Sequence, residues 1–186
     1  MVNDLRKAAE VVEGGGIILY PTDTIWGIGC DSTNEEAIER IFAIKRRPDS
    51  KAMISLCDSS ETLRRFVETV HPAAEEEMAR SERPVTIIYE RPKRISEKLK
   101  AGDGSAAFRI PRNPFTQELC ALLGKPLVST SANFSGETAP TTFSEISEEI
   151  KKAVDYVCTS GRDTIGAAAS RIVKISDKGE KTIIRE

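Results

Sequence analysis

Short apolar runs punctuate this chain and constrain its fold more than any other feature. They are Ile17-Ile18-Leu19-Tyr20, Ala52-Met53-Ile54-Ser55-Leu56-Cys57, Pro84-Val85-Thr86-Ile87-Ile88-Tyr89, Ser105 through Pro111, Pro126-Leu127-Val128, Tyr156-Val157-Cys158, Arg171 to Ile175 and Thr182-Ile183-Ile184. Runs this short, bounded by Gly, Pro, Asp and Ser, read as buried strands. Between them apolar residues recur at helical spacing: Leu5, Ala8, Ala9 and Val12; Ala37, Ile38, Ile41 and Phe42; Leu63, Phe66 and Val67; Phe115, Leu119 and Leu122. Strands and helices alternate without a break in composition. That pattern predicts one α/β domain over residues 1–186, a twisted mixed β-sheet flanked by helices.

Composition removes several alternatives. A chain of 186 residues buries on the order of 70% of its unfolded surface, so it needs no disulfide staples. Cys30, Cys57, Cys120 and Cys158 lie far apart without a C-x-x-C pair, which predicts buried, reduced thiols. His71 is the only histidine, so a His-rich metal cage is ruled out, a Ser–His–Asp triad is disfavoured, and no metal ligand is assigned. No apolar stretch approaches the ~18 residues of a membrane span, and the first residues lack the apolar core of a signal peptide. The expectation is a cytoplasmic protein with no membrane partner. A formal charge of −2 argues against coating of nucleic acid, yet leaves room for a local basic groove.

Four stretches carry chemistry. The loop Pro21-Thr22-Asp23-Thr24-Ile25-Trp26-Gly27-Ile28-Gly29 follows a strand, at the sheet edge where α/β proteins bind ligands. It is neither a dinucleotide fingerprint nor a P-loop. Lys45-Arg46-Arg47-Pro48-Asp49-Ser50-Lys51 closes a helix that Asn34 can cap, with Pro48 ending it and Arg46 solvated. Cations there also complement the helix dipole. Arg109 interrupts an apolar strand and therefore requires an anion. Ser129-Thr130-Ser131-Ala132-Asn133-Phe134-Ser135-Gly136 sets small hydrogen-bonding groups directly after a strand, an array that turns also use. Elsewhere Gly14 to Gly16 end the first helix in a left-handed step, and Asp58 with Glu61 resembles a capping box. Glu75 to Glu77 read as a solvated face, and Thr142 or Ser144 caps a helix from Glu145 to Val154.

Together Tyr20-Pro21-Thr22-Asp23-Thr24-Ile25-Trp26-Gly27, Lys45-Arg46-Arg47-Pro48, Arg109-Ile110-Pro111 and Ser129-Thr130-Ser131-Ala132-Asn133 with Ser135-Gly136 resemble the YrdC-like family of threonylcarbamoyl-AMP synthases, in order and separation. The resemblance implies a YrdC-like fold with a basic concave groove, in the short form without an extra C-terminal domain. It implies that L-threonine, bicarbonate and ATP react to threonylcarbamoyl-AMP and pyrophosphate, with Mg²⁺ accompanying the nucleotide. The product would pass to a tRNA threonylcarbamoyl transferase complex, with weak contact to tRNA or other RNA. By resemblance, Lys45 and Arg47 are catalytic and grip the phosphates or the carbamate. Thr22, Arg109, Ser131 and Ser170 take threonine, with Arg109 on its carboxylate. Ser105, Asn133, Thr141 and Arg185 join Lys45 and Arg47 on the nucleotide side. Three positions depart from the pattern: Trp26 stands for Tyr or Phe, Ser105 for Thr, and Arg171 follows Ser170 where Thr is usual.

Two other readings use the same features. An RNA-binding module could use the basic groove without chemistry, although stacking wants exposed aromatics and these are only 5% of the chain. A related carbamoyl-transfer domain would keep the fold and change the acceptor.

Overall fold

The computed structural model describes residues 1–46 and 53–186, so the expectations for Arg47, Pro48 and Lys51 lie outside the described residues. Helix α1 (Val2–Glu13) turns Leu5, Ala8, Ala9 and Val12 inward, and its cap Gly14 has φ −75. The left-handed step comes one residue later, at Gly15. Strands β1 (Ile18–Tyr20) and β2 (Gly27–Gly29) flank the Thr-rich loop. Helix α2 (Glu35–Lys45) starts as expected, with the Asn34 side chain accepting the Ala37 N–H at 3.0 Å. It stops before the proline: Arg46 already has φ 51, a left-handed C-cap.

Strand β3 (Ile54–Leu56) leads into α3 (Ser60–Phe66), which Ser59 caps by accepting from Thr62 N–H, not Asp58. Helix α4 (Pro72–Arg80) is capped by His71, whose Nδ1 accepts the Ala73 N–H at 3.1 Å. Its acidic run is not uniformly solvated, because Glu77 is buried and paired with Arg171 and Lys181. Strands β4 (Val85–Tyr89) and β5 (Ala106–Arg109), helix α5 (Pro114–Leu123) and strand β6 (Leu127–Ser131) follow. The helix expected over 145–154 is split into a 3₁₀ turn, Phe143–Glu145, and α6 (Glu148–Ala153), each with its own cap, Thr142 and Ser147. Strands β7 (Tyr156–Val157), β8 (Arg171–Ile175) and β9 (Lys181–Arg185) end the chain.

Among the described residues nine strands form one mixed sheet in the order β7-β1-β2-β6-β3-β5-β4-β8-β9. The expected single-domain α/β architecture is what folds. Helix α1 packs on α5, and the core runs from Ile17 to Leu19 through Leu56, Ile87 and Phe108. All four cysteines are free and buried in it. No helix among the described residues is long and apolar enough to cross a membrane.

Register decides what shares a face. Directly opposed residues of neighbouring strands point the same way, as do residues two apart along one strand. Leu127 opposes Leu56, which opposes Arg109, which opposes Thr86, which opposes Ile172, which opposes Arg185. Arg109 and Arg185 therefore stand in one cross-strand row, three strand spacings or about 14 Å apart. Ile54, Ser129, Ser131 and Gly27 join the same face through the pairings Ile54 with Ser129 and Gly27 with Ser131.

Candidate active site

That face carries a cavity of about 430 Å³, within the usual range for small-molecule sites. Its wall includes Thr24, Trp26, Arg109, Ser129, Ser131, Ser170 and Arg185. Segments far apart in sequence meet here because β2, β6, β3, β5 and β8 are adjacent or nearly so in the sheet.

Arg109 sits at the end of β5 with its side chain only 4% exposed. The anion that an apolar strand demands for it is Asp23, 7% exposed, whose Oδ1 lies 3.1 Å from Arg109 Nη2. The second Asp23 oxygen accepts the Arg112 N–H at 3.1 Å. Arg109 Nε and Asp23 Oδ1 are both buried without a hydrogen-bond partner among the described residues, so the pair is held by charge alone. A dry guanidinium with an unused donor beside a cavity is suited to a carboxylate or phosphate oxygen.

Ser170 is buried at the start of β8 and shares a hydrogen bond of 2.8 Å with Thr86 Oγ1. Its carbonyl accepts from Arg185 Nε at 3.1 Å and Nη2 at 2.8 Å. The edge strand thus folds its cation back over β8 toward the cavity. Burial, then the Arg109 and Arg83 cations, push the Arg185 pKa below the usual arginine value. The two arginines repel each other across a wall that favours anions.

Lys45 is placed differently from the expectation that it reaches for phosphate. Its side chain is almost fully buried, and its ammonium donates to the Ser131 carbonyl and, at 2.7 Å, to that of Asn133. The Lys45 carbonyl in turn accepts the Ser135 N–H at 2.9 Å. Lys45 braces the end of β6 from behind and brings its charge up to the wall through two peptide groups. Arg46 is not merely solvated: it pairs with Glu149 at 2.7 Å and lies over the Phe134 ring at 4.3 Å.

Thr22 keeps its hydroxyl inside its own turn, donating to Ile25 O at 2.6 Å and lying 3.0 Å from Thr24 Oγ1. Thr24, not Thr22, reaches the cavity wall. Asn133 donates through Nδ2 to Phe134 O and Glu137 O, leaving a buried Oδ1 without a partner among the described residues. Thr141 binds Glu145 through N–H and hydroxyl, and its carbonyl accepts the Gly166 N–H at 2.6 Å. Ser105 is on the Arg109 face of the sheet but four residues away, donating to Asp103 Oδ1 at 2.6 Å. Of the residues singled out from sequence, Arg109, Ser131, Ser170 and Arg185 line the cavity. Thr22, Lys45, Asn133 and Thr141 stand in the adjoining layer or beside it, and Ser105 lies just before β5, at the opposite end of that strand from Arg109.

The sequence reading missed Asp23, Thr86 and Ser129 as parts of the site. Asp23 could have been found: Arg109 needed a carboxylate, and Asp23 sits in the Thr-rich loop. Thr86 carries no such signal, since only sheet register puts it under Ser170. Trp26 forms an aromatic wall with Phe143 at 4.8 Å, and Lys151 and Arg162 each lie 4.6 Å from the Phe143 ring.

A threonylcarbamoyl-AMP synthase of Xanthomonas euvesicatoria is 33% identical over 186 residues, covering 98% of this chain and 97% of that protein. One from Vibrio vulnificus is 31% identical over 160 residues, covering 84% and 86%. Among solved structures, E. coli YciO superposes with a TM-score of 0.84 at 27% identity, over 98% of this chain and 88% of that one. P. abyssi Sua5 complexed with L-threonine shares the fold, with a TM-score of 0.81 at 24% identity over 91% of this chain. This chain spans about 50% of that Sua5 chain. The family model of Sua5, YciO and YrdC, described as telomere recombination, matches residues 10–186, and the chain belongs to that family.

Proposed function

We propose that this protein is an L-threonylcarbamoyladenylate synthase, joining L-threonine, bicarbonate and ATP into threonylcarbamoyl-AMP with release of pyrophosphate. It works in the cytoplasm as one YrdC-like domain over residues 1–186, and its product feeds a tRNA threonylcarbamoyl transferase. The observation that carries this reading is the cross-strand row that holds Arg109 and Arg185 on one face. Ser129, Ser131 and Ser170 line the same cavity. The chain's similarity to proteins named threonylcarbamoyl-AMP synthase supports it.

In this reading the threonine carboxylate sits on Arg109, because that fork has a donor left over and is ion-paired to Asp23. Ser131, Ser170 and the Thr22 loop flank the amino acid. The polyphosphate lies toward Arg185, with Lys45 adding positive charge through the braced carbonyls of Ser131 and Asn133, and Arg47 is assigned to it from the sequence motif alone. Asn133, Thr141 and Ser105 contact the nucleoside. The threonine amine, carboxylated by bicarbonate, supplies the attacking carbamate, so the protein needs no nucleophile of its own. Its work is orientation and charge where negative charge builds.

Among the described residues no group of three or more His, Cys, Asp or Glu side chains could hold a metal. In this reading Mg²⁺ accompanies the nucleotide, because it offsets polyphosphate charge that a few cations do not cover, and phosphate oxygens and water satisfy it. The test is pyrophosphate release from ATP and Mg²⁺, expected only when threonine and bicarbonate are both present. Turnover with another amino acid or carbamoyl donor would reassign the substrate. Salt-sensitive RNA binding without turnover would overturn the enzyme reading.

A further inference from the structure

Asp23 lies behind the cavity wall, yet it is the protein's own partner for the cation in that wall. A guanidinium offers five donors in a planar fork, and its orientation is set by whichever edge is already held. Here Nη2 and Asp23 Oδ1 form an ion pair at 3.1 Å without hydrogen-bond geometry, and both Oδ1 and Nε are left without a hydrogen-bond partner among the described residues. Asp23 is itself held by the Arg112 N–H at 3.1 Å. That peptide is fixed in turn, because the Arg112 side chain clamps the end of α4. Its Nη1 donates to Glu82 O at 3.1 Å, and its Nη2 to Met78 O at 3.1 Å and Ser81 O at 2.7 Å. Pro111 immediately before it restricts the backbone further.

We infer that Asp23 is a positioning residue for Arg109, and that Arg112 holds Asp23 from the end of α4. The inference rests on the reading above in taking Arg109 as the receptor of the substrate carboxylate. Two roles for Asp23 make opposite predictions. If it only balanced charge, removing its negative charge would leave Arg109 more attractive to a carboxylate, and threonine would bind more tightly. If it sets orientation, Asp23→Asn lets the fork rotate, and threonine binds less well despite the gain in positive charge. The side chains of the pair are only 4% and 7% exposed, so solvent cannot replace the lost anchor.

The experiment compares wild type, Asp23→Asn, Arg109→Lys, the double variant and Arg112→Ala. The readouts are threonine KM, ATP KM, and hydrogen exchange of the Arg109 Nε–H by side-chain NMR. Asp23→Asn is expected to raise threonine KM about tenfold, a change of about 1.4 kcal/mol. ATP KM should stay within about twofold. The Nε–H should exchange faster in Asp23→Asn than in wild type. In the Arg109→Lys background the same change should add less than about twofold, since the group it positions is gone. Arg112→Ala keeps the peptide N–H and should raise threonine KM about threefold. An unchanged or lower threonine KM in Asp23→Asn, or equal rises in both KM values, would overturn the inference. Should wild type show no threonine-dependent release, the synthase reading fails. The Nε–H exchange then decides this inference alone: faster in Asp23→Asn supports it, unchanged overturns it.

Discussion

The two cavity arginines occupy one row of the sheet and opposite mechanical environments. Arg109 is at the end of a strand with neighbours on both sides, dry, and ion-paired to Asp23. Arg185 is on β9, the last strand, whose five residues are all exposed and which pairs only with β8. Its guanidinium is steadied by a backbone carbonyl, that of Ser170. A buried cation with a fixed carboxylate partner is a rigid receptor. An edge-strand cation on a carbonyl is adjustable and wetter. The difference fits a small invariant group at one end of the cavity and a flexible polyphosphate at the other.

The largest effect should come from breaking the rigid end. Arg109→Ala leaves Asp23 buried without its counter-charge, a loss of about 3–5 kcal/mol. It should show as a lowered urea midpoint together with a rise in threonine KM of more than about a hundredfold. Lys45→Ala removes the brace behind Ser131 and Asn133. It should depress kcat by about ten- to a hundredfold in the pyrophosphate assay, with a smaller change in threonine KM. Arg185→Ala tests the adjustable end and should raise ATP KM about tenfold, with threonine KM unchanged. Rising salt should weaken ATP binding in wild type more than in that variant. Equal sensitivity of threonine KM to Arg109→Ala and Arg185→Ala would erase the distinction between the two ends.

The smallest effect concerns neither arginine. Burial alone would raise the Asp4 carboxyl, but hydrogen bonds from Ser160, Tyr156 and Thr159 outweigh it and bring its pKa down to about 2. Because the folded value lies below the ordinary one, this stability is present above about pH 4 and fades as pH falls toward 2. Asp4→Asn should flatten the urea midpoint against pH in that window while both KM values at neutral pH stay put.

The sheet and its helices were legible because short apolar runs and helical spacing are local signals that tertiary packing then reinforced. Asn34 as a cap and Arg109 as a buried cation needing an anion follow the same logic. Other features were not local. Lys45 reads as one of three adjacent cations, yet its long side chain turned inward, because two carbonyls at the end of β6 offered partners that burial demands. Glu77 reads as one glutamate in an acidic run until β8 and β9 bring Arg171 and Lys181 against it. Thr22 and Thr24 are two residues apart, and only the closure of the turn decides which hydroxyl faces the cavity.

Burial does more to the four cysteines than remove them from solvent. It pushes all four thiols up, Cys57 to about 12, so hardly any thiolate exists at neutral pH. The folded protein should therefore resist maleimide, and Ile165, 75% exposed, becomes an address for a single dye or spin label once Ile165→Cys is made. Labelled there, the native chain could report on the Gly161-to-Ala169 segment without first being stripped of its own sulfur.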